Sequence, residues 1–195
     1  MSNYCGTTYV VEGDRHRLLS LHHLFEEALK EFSDESPLGG CAMYHIAEMI
    51  GLCPDDFYCR GRLVSVTLND TPPCLSCYIE SANRPCNELV DAIVKEQGDG
   101  ISVLWFVECD DDGLFFTNAA EGRFFPERYH VLIEDVGDEW FNTLGDAVNW
   151  IESVTDVSVP SEARDCAEAL NSFICNDMEE ALSICCNFHI VEIVP

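Results

Sequence analysis

The sequence predicts an α+β protein, with a mainly antiparallel sheet and helices packed on one face. Three observations carry that expectation. Short segments rich in β-branched and aromatic residues recur along the chain, separated by stretches with helical apolar spacing. Near the middle the order runs strand, helix, strand, strand, flanked by another helix and further strands. No fixed-period repeat and no long Gly/Ser/Pro linker divides the 195 residues, so one domain over 1–195 is expected.

Taken in order, "CGTTYVVEG" (5–13) predicts the first strand. Asp14 is placed to cap a helix from about His16 to Phe32, where Leu18, Leu21, Phe25, Ala28, Leu29 and Phe32 recur at helical spacing. "SDESPLGG" breaks it. "CAMYHIAEMIGL" (41–52) predicts a short second helix with Met43, Ile46, Ala47 and Ile50 on one side. "RGRLVSVTLN" (60–69) and "PPCLSCYIES" (72–81) read as two strands. A helix from about Pro85 to Gln97 follows, with Leu89, Ala92 and Ile93 as its apolar stripe and Pro85 in its first turn.

"ISVLWFVEC" (101–109) is almost wholly apolar and predicts a central strand covered on both faces. "DDDG" turns into "LFFTN" as an antiparallel partner. "YHVLIED" (129–135) is a further strand. Helices are expected at 144–154, opened by Asn142 or Thr143, at 161–172 and at 176–182. "SICCNFHIVEIV" (183–194) closes the chain as a strand.

The stretch "LFFTNAAEGRFFPERYHV" (114–131) packs five aromatics and two arginines into an acidic chain. It reads as a hairpin: "LFFTN" out, "AAEG" as a tight turn with Gly122 at positive φ, and "RFFPERYHV" back. Alternation puts Phe115 on one face and Leu114 and Phe116 on the other. Arg123 and Arg128 flank Pro126 among Glu121 and Glu127, where local pairing and support of the turn come before any external anion.

Charge is the strongest bulk property, with 36 acidic against 10 basic residues and a net charge of −26. From Glu134 onward there are 14 acidic residues and one basic, Arg164. Such a surface keeps away from phosphate backbones and anionic membranes, so direct nucleic-acid binding is not expected. The N-terminal residues lack a basic n-region and an apolar h-region, and no stretch has the length of a membrane helix. A cytoplasmic protein is expected. The 12 cysteines have irregular spacing and sit mostly in apolar runs, so reduced, core-filling thiols are the expectation.

Four short motifs carry a resemblance. Asn3-Tyr4-Cys5 leads into the first strand and helix. Glu80-Ser81-Ala82-Asn83-Arg84-Pro85 joins a strand to a helix, Val107-Glu108-Cys109 ends a strand with an acidic residue, and the aromatic stretch with its glycine follows. Together these resemble the YubB-type ferredoxin-like domain family, uncharacterised proteins frequent in phage, plasmids and other mobile elements; Asn83 stands where that family carries Trp. The resemblance covers about 1–135 and 183–195, leaving the acidic helical segment at about 136–182 outside it. It implies a ferredoxin-like sheet and assigns no catalytic residue.

The binding candidates are Arg123, Arg128, Glu108 and Asn118. Cys74-x-x-Cys77 is the one CxxC, and the metal candidates are those two thiols. The pair follows two prolines and precedes a strand, which is not the helix N-terminus a low-pKa redox pair needs, and no second CxxC completes a zinc set. "ECDDDG" (108–113) lacks the spaced order of a calcium loop. His22 and His23 diverge on their helix, and no serine-hydrolase elbow, HExxH, P-loop or GxGxxG is present. No cofactor and no catalytic residue is expected.

Two function classes follow. One is a non-catalytic protein-binding or regulatory protein of a mobile element or its host, presenting an acidic surface or a sheet edge to a basic protein partner. A nucleic-acid mimic that antagonises a defence system is its concrete form. The other is a cysteine-based metal-binding or redox module. Homo-oligomerisation through a sheet edge stays open beside both.

Overall fold

The computed structural model describes residues 4–32, 40–109, 113–120 and 122–194. Asn3, the 33–39 part of the predicted helix break, the acidic run 110–112 and Glu121 lie outside the described residues. The chain packs as two compact units, Met1–Gly113 and Leu114–Pro195, where the sequence reading treats 1–195 as one domain. Its class is α+β, with antiparallel pairing dominant.

The first unit holds β1 (Tyr4–Glu12), α1 (Arg15–Phe32), β2 (Cys41–Ala42), α2 (Met43–Met49), β3 (Gly61–Asp70), β4 (Pro73–Ala82), α3 (Asn87–Glu96) and β5 (Ser102–Cys109). Its strands lie in the order β5-β1-β4-β3-β2, every neighbouring pair antiparallel. Alternation explains β1, where Cys5, Thr7, Tyr9 and Val11 are buried. Asp14 caps α1 as expected: His16 and Arg17 donate their backbone N–H groups to its Oδ1 at 3.1 and 3.2 Å. The predicted stripe then buries Leu18, Leu21, Phe25 and Ala28 against the sheet side of the helix.

Three local expectations change. Cys41 and Ala42 pair with Leu63 and Arg62 as β2, so the second helix begins only at Met43. Pro85 precedes the capping residue Cys86 and stands outside the first turn of α3. The third concerns the thiols. Gly6 lies opposite Glu108 in the β1–β5 ladder, and one step further Cys5 and Cys109 are joined as a disulfide, with Cα atoms 4.3 Å apart. Residues 104 apart in sequence became neighbours through strand pairing, which cysteine spacing cannot show.

The second unit holds β6 (Leu114–Thr117), β7 (Tyr129–Ile133), β8 (Gly137–Phe141), α4 (Leu144–Thr155), α5 (Ala167–Ser172), α6 (Glu179–Leu182), β9 (Cys186–Ile190) and β10 (Glu192–Ile193). A three-stranded antiparallel sheet runs β8-β7-β9. Val131, Ile133, Phe141, Val148, Ile151, Leu170, Ile174 and Phe188 form its core with the helices. Thr143, one of the two predicted caps, accepts the backbone N–H of Asp146 at 3.2 Å. The expected helix 161–172 is a 3-10 turn at Ser161–Ala163 followed by α5, and a π-helical segment Phe173–Met178 joins α5 to α6.

The predicted aromatic hairpin does not form. β6 pairs in parallel with β10, whereas β7 pairs with β8 and β9. Gly122 has the expected positive φ, +65°, but within an irregular passage from 118 to 128. Phe115 is buried and Leu114 exposed, as alternation requires. Among the described residues, no helix is long and apolar enough to cross a membrane.

Candidate functional site

The residues singled out by sequence fall in different places. Glu108 lies on β5 in the first unit; Asn118, Arg123 and Arg128 lie in the 118–128 passage of the second. Arg128 spends its guanidinium on that passage. It donates to the carbonyls of Phe125 at 2.7 Å, Glu127 at 2.9 Å and Ala119 at 3.1 Å. A Cβ at Gly122 would stand 3.0 Å from the same guanidinium, a tight contact at a position whose positive φ already favours glycine. Arg123 sits over the ring of Phe124, 4.9 Å from its centroid.

Cys74 and Cys77 are both buried on β4. An odd separation along a strand turns two side chains to opposite faces, so the pair does not converge on one ion. Burial pushes the Cys77 thiol up to about 12. Among the described residues, no group of three His, Cys, Asp or Glu side chains is gathered as a metal site.

The first unit does build a cleft, beside the start of β3 and the end of β4. A depression of about 380 Å³ is lined by Tyr4, Tyr44, Cys59, Arg60, Arg62 and Glu80, among others. A second depression, lined by Tyr44, Glu48, Asp55, Tyr58, Cys59 and Arg60 among others, shares Tyr44, Cys59 and Arg60 with the first. Local structure fixes each contributor. Residues 54–56 form a 3-10 turn that delivers Tyr58, Cys59 and Arg60 to the mouth of β3. The Arg60 carbonyl accepts the backbone N–H of Ala82 at 2.9 Å, extending the β3–β4 ladder by one bond. A Cβ at Gly61 would fall 2.8 Å from the Cys86 sulfur and 3.1 Å from the Glu80 carbonyl, so only glycine lets the strand pass there.

Charge in the cleft is unevenly committed. Arg62 donates from Nε and from a terminal nitrogen to one Glu80 oxygen, at 3.0 and 2.5 Å. Arg84 lies over the Tyr58 ring, 4.5 Å from its centroid. Arg60 is exposed, and its guanidinium has no hydrogen-bond or ion-pair partner among the described residues. The Tyr58 hydroxyl is buried without a hydrogen-bond partner. Tyr4 and Tyr44 are 57% and 42% exposed, and every other Phe, Tyr or Trp among the described residues is less exposed than these.

The nearby thiols are held neutral. Burial, and then the Asp55 carboxylate, raise Cys59 above its ordinary range. Burial first, then Cys59, push Cys86 up to about 12, against a lowering by Arg84. A thiol needs the thiolate form to attack, so neither thiol is poised as a nucleophile. Sequence reading passed over it. The one available signal was "YCRGR" (58–62), two arginines beside a tyrosine in a chain with few cations.

In the second unit, strand register lines up Trp140, His130 and His189 across β8, β7 and β9. The His130 ring stacks 4.3 Å from Trp140, and its Nε2 lies 3.1 Å from Asp138 Oδ2. Its Nδ1 is buried without a partner. The same unit carries the acidic excess: of the 14 carboxylates from Glu134 onward, 12 are exposed. Arg164, the one cation there, is hydrogen-bonded to the half-buried Glu152.

Protein-family models give no match to this chain, and curated proteins give none. A solved structure, of an unknown protein from Galdieria sulphuraria, aligns over 98% of this chain and 99% of its own, at 11% identity and a TM-score of 0.27. A likeness at that score carries no argument about fold or function.

Proposed function

We propose that this is a non-catalytic binding or regulatory protein of a mobile element or its host, which meets a basic protein partner through the acidic surface of its second unit. The observation that carries the reading is the uncompensated charge after Glu134: 12 exposed carboxylates and a single arginine already committed to Glu152. Charge of one sign, fixed on a folded unit, speeds encounter with a basic partner and selects against acidic ones. Imitation of a nucleic acid toward a defence protein is the concrete form of this reading. A ferredoxin-like reading of the first unit draws support from its element order. With β2 and α2 set aside, β1-α1-β3-β4-α3-β5 gives βαββαβ, with strands in the order β5-β1-β4-β3.

The test compares the protein with a variant neutralised at Glu139, Asp146, Asp165 and Glu168 (Glu to Gln, Asp to Asn). Both are immobilised, exposed to lysate of the host and eluted with rising salt. Release of one basic protein over a narrow salt step, from the wild type alone, is the expected result. Retention that ignores both salt and neutralisation would sink the reading.

The cysteine-based alternative retains one favourable observation, the Cys5–Cys109 disulfide, in place of Cys74 and Cys77. A redox role requires partner binding to change when that bond is reduced. Binding indifferent to reductant leaves the disulfide as a brace.

A further inference from the structure

We propose that the cleft beside β3 and β4 of the first unit binds a small anion carried on a flat ring, with the ring against Tyr4 and Tyr44 and the anionic group on Arg60. This goes beyond the acidic-surface reading, since it concerns the other unit and a ligand of opposite charge to the partner.

Four observations converge. The chain has only 10 basic residues, yet Arg60 and Arg62 line one cleft and Arg84 stacks on Tyr58 at its edge. Arg62 and Arg84 are engaged with Glu80 and Tyr58, so they hold shape, and the Arg60 guanidinium is uncommitted among the described residues. Planar guanidinium recognises carboxylate and phosphate through paired N–H donors. Tyr4 and Tyr44 are the exposed aromatic side chains of the described residues, and both line this cleft. An exposed ring gains most when a second ring covers it, in an offset or edge-on arrangement. The volume, about 380 Å³, lies in the range of small-ligand pockets.

The surrounding negative charge shapes which ligand fits. A highly charged polyanion would meet repulsion from the −26 chain, while a ring contributes contact that is indifferent to the field. A ligand with one or two charges and an aromatic body is therefore favoured over a bare anion. Glu80 remains on Arg62, so the pair marks a wall of the cleft while Arg60 receives the anion.

The test is a titration of the full chain, followed by amide and arginine side-chain NMR, with AMP, UMP, phenyl phosphate and 4-hydroxybenzoate. Adenosine and inorganic phosphate serve as ring-only and anion-only probes. Saturable binding of at least one ring-bearing anion in or below the millimolar range is expected, with shifts centred on Arg60 and Tyr44. Arg60→Glu should weaken it about tenfold or more, Tyr44→Ala should weaken it several-fold, and Arg60→Lys should retain part of it. Both positions are exposed, so the variants should keep the wild-type spectrum elsewhere. No saturable binding by any of the four overturns the proposal. So does inorganic phosphate binding as tightly as the ring-bearing anions, or binding that survives both Arg60→Glu and Tyr44→Ala.

Discussion

The two units carry the same excess of negative charge and use it differently. Residues 1–113 have 20 acidic and 7 basic side chains; residues 114–195 have 16 and 3. In the first unit the cations gather. Arg60, Arg62 and Arg84 meet tyrosines around one cleft. In the second they are consumed by structure, Arg128 on backbone carbonyls and Arg164 on Glu152, and the carboxylates are left to solvent. Net charge alone therefore cannot rank the units as binding surfaces. What matters is which charged groups have already been spent on holding the fold.

The units also differ in how they are braced, and this gives the largest expected effect. The disulfide closes a loop spanning 104 residues in the first unit, and the second unit has none among its described residues. Replacing Cys5 and Cys109 together with serine should cost the first unit about 2–5 kcal/mol, through the larger conformational freedom of its unfolded chain. Denaturant unfolding with and without the bond measures this. A loss below about 1 kcal/mol would mean that the strands, not the bridge, dominate.

The next effect is alkaline. Burial pushes Cys77 up to about 12 in the folded first unit, from an ordinary value near 9. The folded state therefore holds its proton over a range where the unfolded chain has lost it. The resulting stability is fully present below about pH 9 and should fall by about 1.4 kcal/mol per pH unit as pH rises toward 12. Cys77→Ala, compared with wild type across that range, should flatten this part of the slope. An unchanged slope would assign the alkaline loss to other groups.

The smallest effect sharpens the second unit. Thr143→Ala removes the acceptor for the Asp146 N–H at the start of α4 and should cost about 1 kcal/mol. Thr143→Ser should recover most of it. Equal losses for the two variants would remove the hydroxyl from the account.

Legibility differed between the units for a physical reason. In the first, long strands and an 18-residue helix carry their own periodicity, so β1, α1, β3, β4 and β5 were placed within a residue or two. In the second, strands of two to five residues give too few repeats to show a period. β8, "GDEWF", was missed because three exposed polar or glycine positions precede its apolar end. Only the return half of the aromatic hairpin fails: β6 and β7 lie close in sequence, which favours a hairpin, but β7 pairs with β8 and β9. β10, some 75 residues on, pairs with β6 in parallel. The cleft was hidden for a related reason: Tyr4, Tyr44, Arg60 and Glu80 come from four separate segments.

By itself the sequence determined the α+β class, the antiparallel bias, the start of α1 at Asp14 and the acidity of the last third. These rest on local periodicity, capping chemistry and composition, which neighbouring residues carry among themselves. Arg128 supports its own turn as the sequence suggests, whereas tertiary structure alone decided the Cys5–Cys109 bond, the parallel β6–β10 pair and the pairing of Arg164 with Glu152. Each of those depends on which distant residue arrives as a partner, and partnership across long loops is set by packing of the whole unit rather than by any local pattern.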